Sequence, residues 1–179
     1  MGKPRIATAH LTGCFGCHMS ILDIDERLLE LIQIVDLDKS PFDDIKVFSA
    51  PCDVGLIEGG CSSDENVQVL RAFRENCRIL VSVGECALMG GVPALRNGIP
   101  LSQCMEEAYL NGPSVVDGVL PNDPDLPLIL DRVYPSHEVV KIDHFLPGCP
   151  PSADAIWEFL GALLAGKRID LGYRMIKYD

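Results

Sequence analysis

The chain has 179 residues, 47% hydrophobic and 23% charged, a balance typical of one globular domain and not of a disordered chain. Its formal net charge of −11, from 26 acidic and 15 basic residues, argues against binding to the phosphate backbone of a nucleic acid. No segment reaches the roughly 18 consecutive apolar residues that cross a bilayer, so we expect no membrane span. The mean hydropathy of +0.18 indicates instead an apolar surface that faces a partner protein.

The N-terminal residues and the cysteine content indicate the compartment. Residues 1–10 lead directly into a predicted strand and carry no apolar signal region, twin arginine or cleavage site, so we expect a cytoplasmic protein. The chain contains eight cysteines. In a reducing compartment, so many cysteines indicate metal or redox chemistry in preference to structural disulfides.

The first part of the chain alternates predicted strands with a predicted helix. Apolar runs predict strands over 5–11, 45–48 and 53–58. Between the first two, Ser20 is a candidate N-cap for a helix. The apolar face of that helix is formed by residues at helical spacing: Ile21, Ile24, Leu28, Leu31 and Ile32.

The second part repeats this alternation around a long interruption. A helix is predicted to begin at 62–65, and the apolar run over 78–83 predicts a strand buried on both faces. Residues 91–135 are rich in Gly, Pro and Asn and predict a long irregular excursion. A strand over 138–143 and a helix over 152–165 complete the pattern.

Strands that alternate with helices predict βαβ units. We therefore expect an α/β fold with a doubly wound parallel sheet of about five strands, and one domain over 1–179. In such a sheet, the carboxyl ends of all strands lie at one edge, and ligand sites form there.

Four cysteines follow predicted strands and are therefore expected to meet at that edge. Cys14 and Cys17 come after the first strand, Cys86 after the fourth and Cys149 after the fifth. Four thiolates are the usual ligands of a [4Fe–4S] cluster. A zinc knuckle or a thioredoxin-like dithiol would explain Cys14 and Cys17 but would leave the other two cysteines without a role.

The remaining cysteines are less suited to this site. Cys52 and Cys77 precede their strands, so we expect them at the opposite edge as small buried residues. Cys61 follows the third strand at the same edge as the four candidates, so position alone leaves it open. Cys104 lies in the excursion and has no predicted position.

Several residues near the four cysteines are candidate cofactor contacts. Gly16, Gly84 and Gly148 let backbone amides approach a cluster closely and donate hydrogen bonds to its sulfur atoms. Glu58 ends the third strand, where it would carry protons, set the local charge or simply point to solvent. Ser20 is also near, although a helix cap explains it better.

Histidines receive simpler interpretations. His18 lies within the first cysteine motif, where it would donate a hydrogen bond to the cluster or contact a partner. His10, His137 and His144 are interpreted as strand or strand-flanking residues.

Four motifs together resemble the small subunit of [NiFe] hydrogenases: 14–20 (CFGCHMS), 84–87 (GECA), 90–93 (GGVP) and 147–151 (PGCPP). The resemblance covers most of the chain in order and spacing. It implies a flavodoxin-like domain in which the four cysteines hold one proximal [4Fe–4S] cluster. It also implies that this chain has no catalytic residue, because hydrogen is split at a nickel–iron centre on a separate large subunit.

Two differences from membrane-bound hydrogenase small subunits indicate the subclass to which the chain is similar. Membrane-bound relatives carry a twin-arginine signal and a C-terminal domain with further clusters, and the sequence shows neither. We therefore expect the short small subunit of a cytoplasmic, bidirectional NAD-reducing hydrogenase. The resemblance implies that its other partners are diaphorase subunits with Fe–S clusters, FMN and the NAD site.

Three alternatives stay open. The related cluster subunit of respiratory complex I typically has adjacent cysteines where this chain has Cys14 and Cys17 separated by two residues. A flavodoxin-like sheet binds FMN in the loop after its first strand, here 12–17, although its cysteines are already assigned to iron. The third alternative is a flavin- or zinc-binding assembly module without a redox role.

Overall fold

A five-stranded parallel sheet forms the centre of the structure, a computed structural model that describes residues 2–176. Its strands are β1 (Arg5–His10), β2 (Asp36–Leu37), β3 (Cys52–Glu58), β5 (Cys77–Val83) and β7 (His144–Leu146). The spatial order is β2-β1-β3-β5-β7, and every pair is parallel. This is the doubly wound order of flavodoxin-like folds, so the predicted fold class is confirmed. The direction of winding reverses between β1 and β3.

Six α-helices, two 3₁₀ helices and a small second sheet are the other regular elements within 2–176. The helices are α1 (Gly16–Leu22), α2 (Arg27–Ile34), α3 (Asp64–Asn76), α4 (Glu85–Met89), α5 (Leu101–Tyr109) and α6 (Ala153–Leu164). The second sheet pairs β4 (Cys61–Ser63) with β6 (Ile129–Tyr134) in antiparallel orientation. None of the helices within 2–176 is long and apolar enough to cross a bilayer.

Alternating strand residues build two cores, one on each face of the sheet. Ile6 and Leu56 point to one face and join apolar side chains of α1, α2 and α6. Ala7 and Ile57 point to the opposite face and join Phe73 of α3. Because successive side chains of a strand face opposite ways, apolar residues at consecutive positions are required for a sheet covered on both faces.

The predicted first helix is two helices, and Ser20 does not cap it. α1 ends at Leu22 and α2 begins at Arg27, with Asp25 between them in the left-handed region at φ 63°. Ser20 lies inside α1 and is buried, whereas the N-cap position belongs to Phe15. The cap prediction is wrong because the helix begins within the cysteine motif, earlier in the chain than expected.

The strand predicted over 45–48 is absent, and the two-residue strand β2 pairs with β1 in its place. Polar side chains fold the segment into local turns. Ser40 Oγ accepts a hydrogen bond from the Phe42 N–H, and Asp43 accepts one from the Ile45 N–H. Such side-chain acceptors compete with strand pairing for the backbone donors.

The last strand also lies later than predicted. The structure places β7 at 144–146, whereas 138–143 contains the end of a 3₁₀ helix (Ser136–Glu138) and an irregular segment. The apolar residues that suggested a strand pack instead against the α3 side of the sheet: Val139, Val140 and Ile142. A buried irregular segment needs apolar side chains just as a buried strand does, so the composition of 138–143 does not distinguish the two.

The excursion over 91–135 is more ordered than predicted. It contains a 3₁₀ helix (Val92–Gly98), then α5 and β6, while 110–128 is irregular. Arg96 donates to the carbonyl oxygens of Leu130 and Asp131, and Asn97 forms two hydrogen bonds with the Val133 backbone. These side chains fix β6 against the 3₁₀ helix over a long sequence separation.

The final helix agrees with its prediction. Ser152 caps α6 by accepting a hydrogen bond from the Ala155 N–H at 3.2 Å, and Gly166 follows the helix at φ 62°. The interpretation of 1–179 as one domain without a C-terminal multi-cluster domain stays a prediction. Residue 1 and residues 177–179 lie outside the described chain.

Candidate metal centre

The structure brings the four candidate cysteines together at the carboxyl edge of the sheet. Cys14 and Cys17 lie where β1 leads into α1, Cys86 lies in α4 directly after β5, and Cys149 lies after β7. Burial raises the pKa of the Cys17 and Cys86 thiols, and each is raised further by charge on neighbouring cysteines of the set. The expected convergence is therefore observed, whereas iron binding stays a prediction.

Glycines make room for three of these sulfur atoms. A β-carbon on Gly84 would overlap the Cys17 Sγ, and one on Gly91 would lie 2.7 Å from the Cys86 Sγ. One on Gly16 would lie 3.1 Å from the Cys14 Sγ. The Cys17 and Cys86 thiols thus pack directly on backbone that leaves no room for a side chain, and the Cys14 thiol packs tightly on Gly16. Such a compact cradle of free thiols has the donor chemistry of an iron–sulfur site.

The arrangement is not that of a single-ion site. Within 2–176, no three His, Cys, Asp or Glu side chains are placed to hold one metal ion. A zinc ion draws each thiolate to about 2.3 Å. A [4Fe–4S] cluster makes a different demand, since each thiolate binds its own iron atom and the sulfur ligands stay farther apart.

The site opens at the protein surface. Cys14 and Cys149 are exposed, and Cys17 and Cys86 are half-buried. Exposed apolar side chains stand on the same segments, among them Met19 of α1 and Met89 of α4. Exposed thiols beside apolar side chains are typical of a surface that another protein covers.

Glu58 is buried beneath the first cysteine motif, with only 3% of its surface exposed. Its Oε1 lies 2.5 Å from the His10 Nδ1, and its Oε2 accepts the His18 backbone N–H at 2.8 Å. Burial opposes ionisation of this carboxyl, but the interactions with His18 and His10 prevail and hold its pKa below the usual range. The interpretation that Glu58 points to solvent is therefore wrong, whereas a role of Glu58 in carrying protons or in setting the local charge stays a prediction.

His18 faces the sheet and is buried away from solvent. It is 1% exposed, and its Nε2 lies 3.0 Å from the Thr8 Oγ1, which in turn lies 2.9 Å from the Ser40 Oγ. Its ring stacks on Phe15 with centroids 4.7 Å apart. The prediction that His18 contacts a partner is therefore wrong, because the imidazole belongs to a buried polar network.

Two glycine amides expected at the cluster are used elsewhere. The Gly84 N–H donates to the Leu146 carbonyl oxygen at 2.8 Å, and the Gly148 N–H donates to the Glu85 Oε1 at 3.1 Å. Both glycines have positive φ, at 79° and 139°. They serve the site through backbone conformation and space rather than through free N–H groups.

Comparison with known proteins places this geometry in a family. The family described as "NADH ubiquinone oxidoreductase, 20 Kd subunit" matches residues 14–163, a segment that contains all four cysteines. The chain belongs to this family.

Relatives within this family come from hydrogenases. The chain is 51% identical to the delta subunit of the NAD-reducing hydrogenase HoxS of Cupriavidus necator, covering 99% of this chain and 87% of that subunit. It is 41% identical to a subunit of the F420-non-reducing hydrogenase of Methanothermobacter marburgensis, covering 94% of this chain and 56% of that relative. A chain in the crystal structure of an NAD+-reducing [NiFe]-hydrogenase in the H2-reduced state superposes with a TM-score of 0.96 at 49% identity, covering 99% of this chain and 100% of that chain.

The other four cysteines of the chain lie outside the site. Cys61, like Cys52 and Cys77, is buried in the apolar core on the α3 side. Burial raises the pKa of Cys61 and of Cys77 to about 11, and burial beside Cys77 and Asp38 raises that of Cys52 to about 12. They are neutral core thiols, as predicted for Cys52 and Cys77. Cys104 lies in α5.

Two further residues of the site had no predicted role. Gly91 belongs to a motif that the sequence displays, but its contact with the Cys86 sulfur depends on φ 52° and is a property of the fold. Glu85 stands between Gly84 and Cys86 and is buried. A glutamate is ordinarily exposed, so its burial carries no sequence signal.

Proposed function

We propose that this chain is the electron-transfer small subunit of an NAD-reducing [NiFe] hydrogenase, which catalyses H2 + NAD+ = NADH + H+. The observation that carries the proposal is the 51% identity to the HoxS delta subunit over 99% of the chain. The TM-score of 0.96, at 49% identity, with a chain of an NAD+-reducing [NiFe]-hydrogenase also supports it.

We propose further that Cys14, Cys17, Cys86 and Cys149 hold one [4Fe–4S] cluster. When bound, such a cluster accepts and releases one electron at a time. The protein supplies the thiolates and a cradle around them. The cofactor contacts that we propose besides the cysteines are Gly16, Gly84, Gly148 and Glu58.

Two polar residues near the cradle differ in their roles. Glu58 places a buried negative charge next to Cys17, so it influences the charge that surrounds the proposed cluster. Ser20 is buried inside α1 and contributes packing rather than a hydrogen bond from a helix cap.

The partners follow from a relay that holds a single cluster. Electrons arrive from the nickel–iron centre of a large subunit and leave to diaphorase subunits that carry further Fe–S clusters, FMN and the NAD site. The exposed positions of Cys14 and Cys149 support transfer between chains, since the cluster would lie near the surface. The cytoplasmic location stays a prediction from the sequence.

One alternative is favoured by a specific observation. The description of the matching family names an NADH ubiquinone oxidoreductase subunit, which supports a complex I-like cluster subunit. The two-residue spacing of Cys14 and Cys17 and the hydrogenase relatives favour the hydrogenase. FMN bound to this chain stays a lesser alternative.

The test is hydrogen-dependent NAD+ reduction by the complex that co-purifies with an affinity-tagged copy of this chain. Hydrogenase function predicts NADH formation under hydrogen and none under argon. NADH–quinone reductase activity without any hydrogen-dependent NADH formation would favour the complex I-like alternative. Flavin released on denaturation, compared with the amount expected from the diaphorase subunits alone, tests for FMN on this chain.

A further inference from the structure

Glu85 connects two of the cysteine-bearing segments by a reciprocal pair of hydrogen bonds. Its backbone N–H donates to the Gly148 carbonyl oxygen at 3.0 Å, and its Oε1 accepts the Gly148 N–H at 3.1 Å. Glu85 immediately precedes Cys86, and Gly148 immediately precedes Cys149. The pair therefore joins two candidate ligands that, like Glu85 and Gly148 themselves, are 63 residues apart in the chain.

The segment that carries Cys149 has few other means of attachment. Within 147–151, three of the five residues are prolines, which have no backbone N–H to donate. Gly148 has no side chain, and its φ of 139° lies outside the range favoured by other residues. Its N–H is thus one of only two backbone donors in the segment, and Glu85 accepts it.

The hydrogen bonds extend the sheet beyond the end of β7. The Gly84 N–H donates to the Leu146 carbonyl oxygen at 2.8 Å, directly after Val83 and Leu146, the last paired residues of β5 and β7. At the next position, the Glu85 carboxyl takes the place of a backbone acceptor. Together with the Glu85 backbone N–H, the side chain thereby continues the alignment of the two segments up to the residues that precede Cys86 and Cys149.

Stability alone does not account for a carboxyl group here. Glu85 is only 8% exposed, and its Oε2 has no hydrogen-bond partner among the described residues. A buried polar atom without a partner is unfavourable for folding, and such violations of packing rules concentrate at functional sites. The cysteine site beside Glu85 supplies a reason for the carboxyl group that folding does not.

We propose that Glu85 is a positioning residue for the cluster, holding the Cys149 segment at a fixed separation from Cys86. The inference rests on the proposed [4Fe–4S] site. Cys86 and Cys149 follow different strands of the sheet. Holding them at a fixed separation would slow the release of iron and keep the cluster in one geometry. Residues that orient metal ligands typically affect metal retention by about 10–100-fold.

The test compares three variants of Glu85 in the co-purified complex. Glu85→Gln keeps a carbonyl oxygen that accepts the Gly148 N–H, Glu85→Leu removes the acceptor at similar size, and Glu85→Asp shortens its reach. Glu138→Gln, at an exposed position, is the control for the loss of one carboxyl. The measurements are the rate of iron release to a chelator and the electron paramagnetic resonance spectrum of the reduced complex.

Positioning predicts that the Gln variant and the control match the wild type. The Leu and Asp variants should release the irons of this subunit at least about tenfold faster and show a broadened or shifted spectrum. If the Leu complex does not assemble, the contrast between Asp and Gln gives the same answer. Wild-type rates and spectra in both Leu and Asp would overturn the positioning role and leave the proposed function intact. A wild-type complex without iron on this chain would overturn both.

Discussion

The Glu58 carboxylate accepts the backbone N–H of His18 at 2.8 Å, one residue beyond the second cysteine of the first motif. This bond fastens the cysteine loop to the end of β3, the strand next to β1 at the point where the winding of the sheet reverses. The same carboxylate contacts His10 at the end of β1. One buried side chain thus joins both strands to the loop that carries Cys14 and Cys17.

Replacing Glu58 by alanine should destabilise this subunit by about 3 kcal/mol, because the His18 N–H and the two histidine side chains would lose a buried partner. Glu58→Gln keeps an acceptor for the His18 N–H, so this variant should lose distinctly less stability than Glu58→Ala. Thermal unfolding of the complex, followed by a probe on this subunit, measures both variants. Equal losses for Gln and Ala would show that the backbone hydrogen bond contributes little.

Replacing Gly84 by alanine should remove most of the iron held by this subunit. The new β-carbon would overlap the Cys17 Sγ, and φ of 79° is unfavourable for alanine. Gly98→Ala is the matched control, since no atom lies within 4 Å of a β-carbon at that position and the residue ends a 3₁₀ helix. Iron retained in both variants would mean that the Cys17 sulfur is not confined as described.

Acid should weaken the attachment of β7 through Asp143. The carboxylate accepts hydrogen bonds from Arg74 at 2.6 Å and from the Leu80 N–H at 2.8 Å. Burial opposes ionisation, but these bonds and the Arg74 charge prevail and lower the Asp143 pKa. A lowered folded-state pKa stabilises the protein above the unfolded-state pKa of about 3.9, and this contribution is lost as pH falls through the folded-state value.

Asp143→Asn should therefore cost about 1–2 kcal/mol near neutral pH and flatten the acid limb of the stability curve. Asp44→Asn, at an exposed position, is the control. Urea unfolding between about pH 2 and pH 7 provides the comparison, because the contribution is lost below the unfolded-state pKa. An unchanged acid limb in the Asp143 variant would contradict the assignment of this pH dependence to the Asp143 carboxylate.

Cys61→Ala should leave the iron content unchanged, even though Cys61 follows β3 at the same edge as the four candidate ligands. The side chain is fully buried in the core on the α3 side, so its loss should instead cost about 1 kcal/mol of stability. Iron analysis and thermal unfolding of the same preparation separate the two effects. A loss of iron on the scale of one ligand would place Cys61 at the site.

The sequence predicted the features that depend on the sheet alone. Parallel strands bring their carboxyl ends to one edge, so Cys14, Cys86 and Cys149 had to converge once the strands were identified. Even the misplacement of the last strand by several residues did not change this result. The prediction depends on the direction of each strand, which places the loop after it at the carboxyl edge. The exact residue at which a strand ends matters less.

Features that depend on long-range contacts were not predictable in the same way. Glu58 was identified, but its burial depends on His18 and His10, which are 40 and 48 residues away. The role of Glu85 carries no sequence signal, because its partner Gly148 lies 63 residues away and nothing local distinguishes Glu85 from an exposed glutamate. The strand prediction over 138–143 is wrong because a buried irregular segment requires the same apolar side chains as a strand.

The central claim is that four cysteines, which follow three strands of one sheet, hold a single cluster. Chemical analysis tests it most directly. The measurement is the iron and acid-labile sulfide content of complexes that carry Cys149→Ala or the matched control Cys104→Ala. A shared cluster predicts that the Cys149 variant contains about four fewer irons and four fewer sulfides than the wild type, or a clearly altered cluster, while the control is unchanged. An iron and sulfide content equal to that of the wild type, with an unchanged spectrum of the reduced complex, would contradict it.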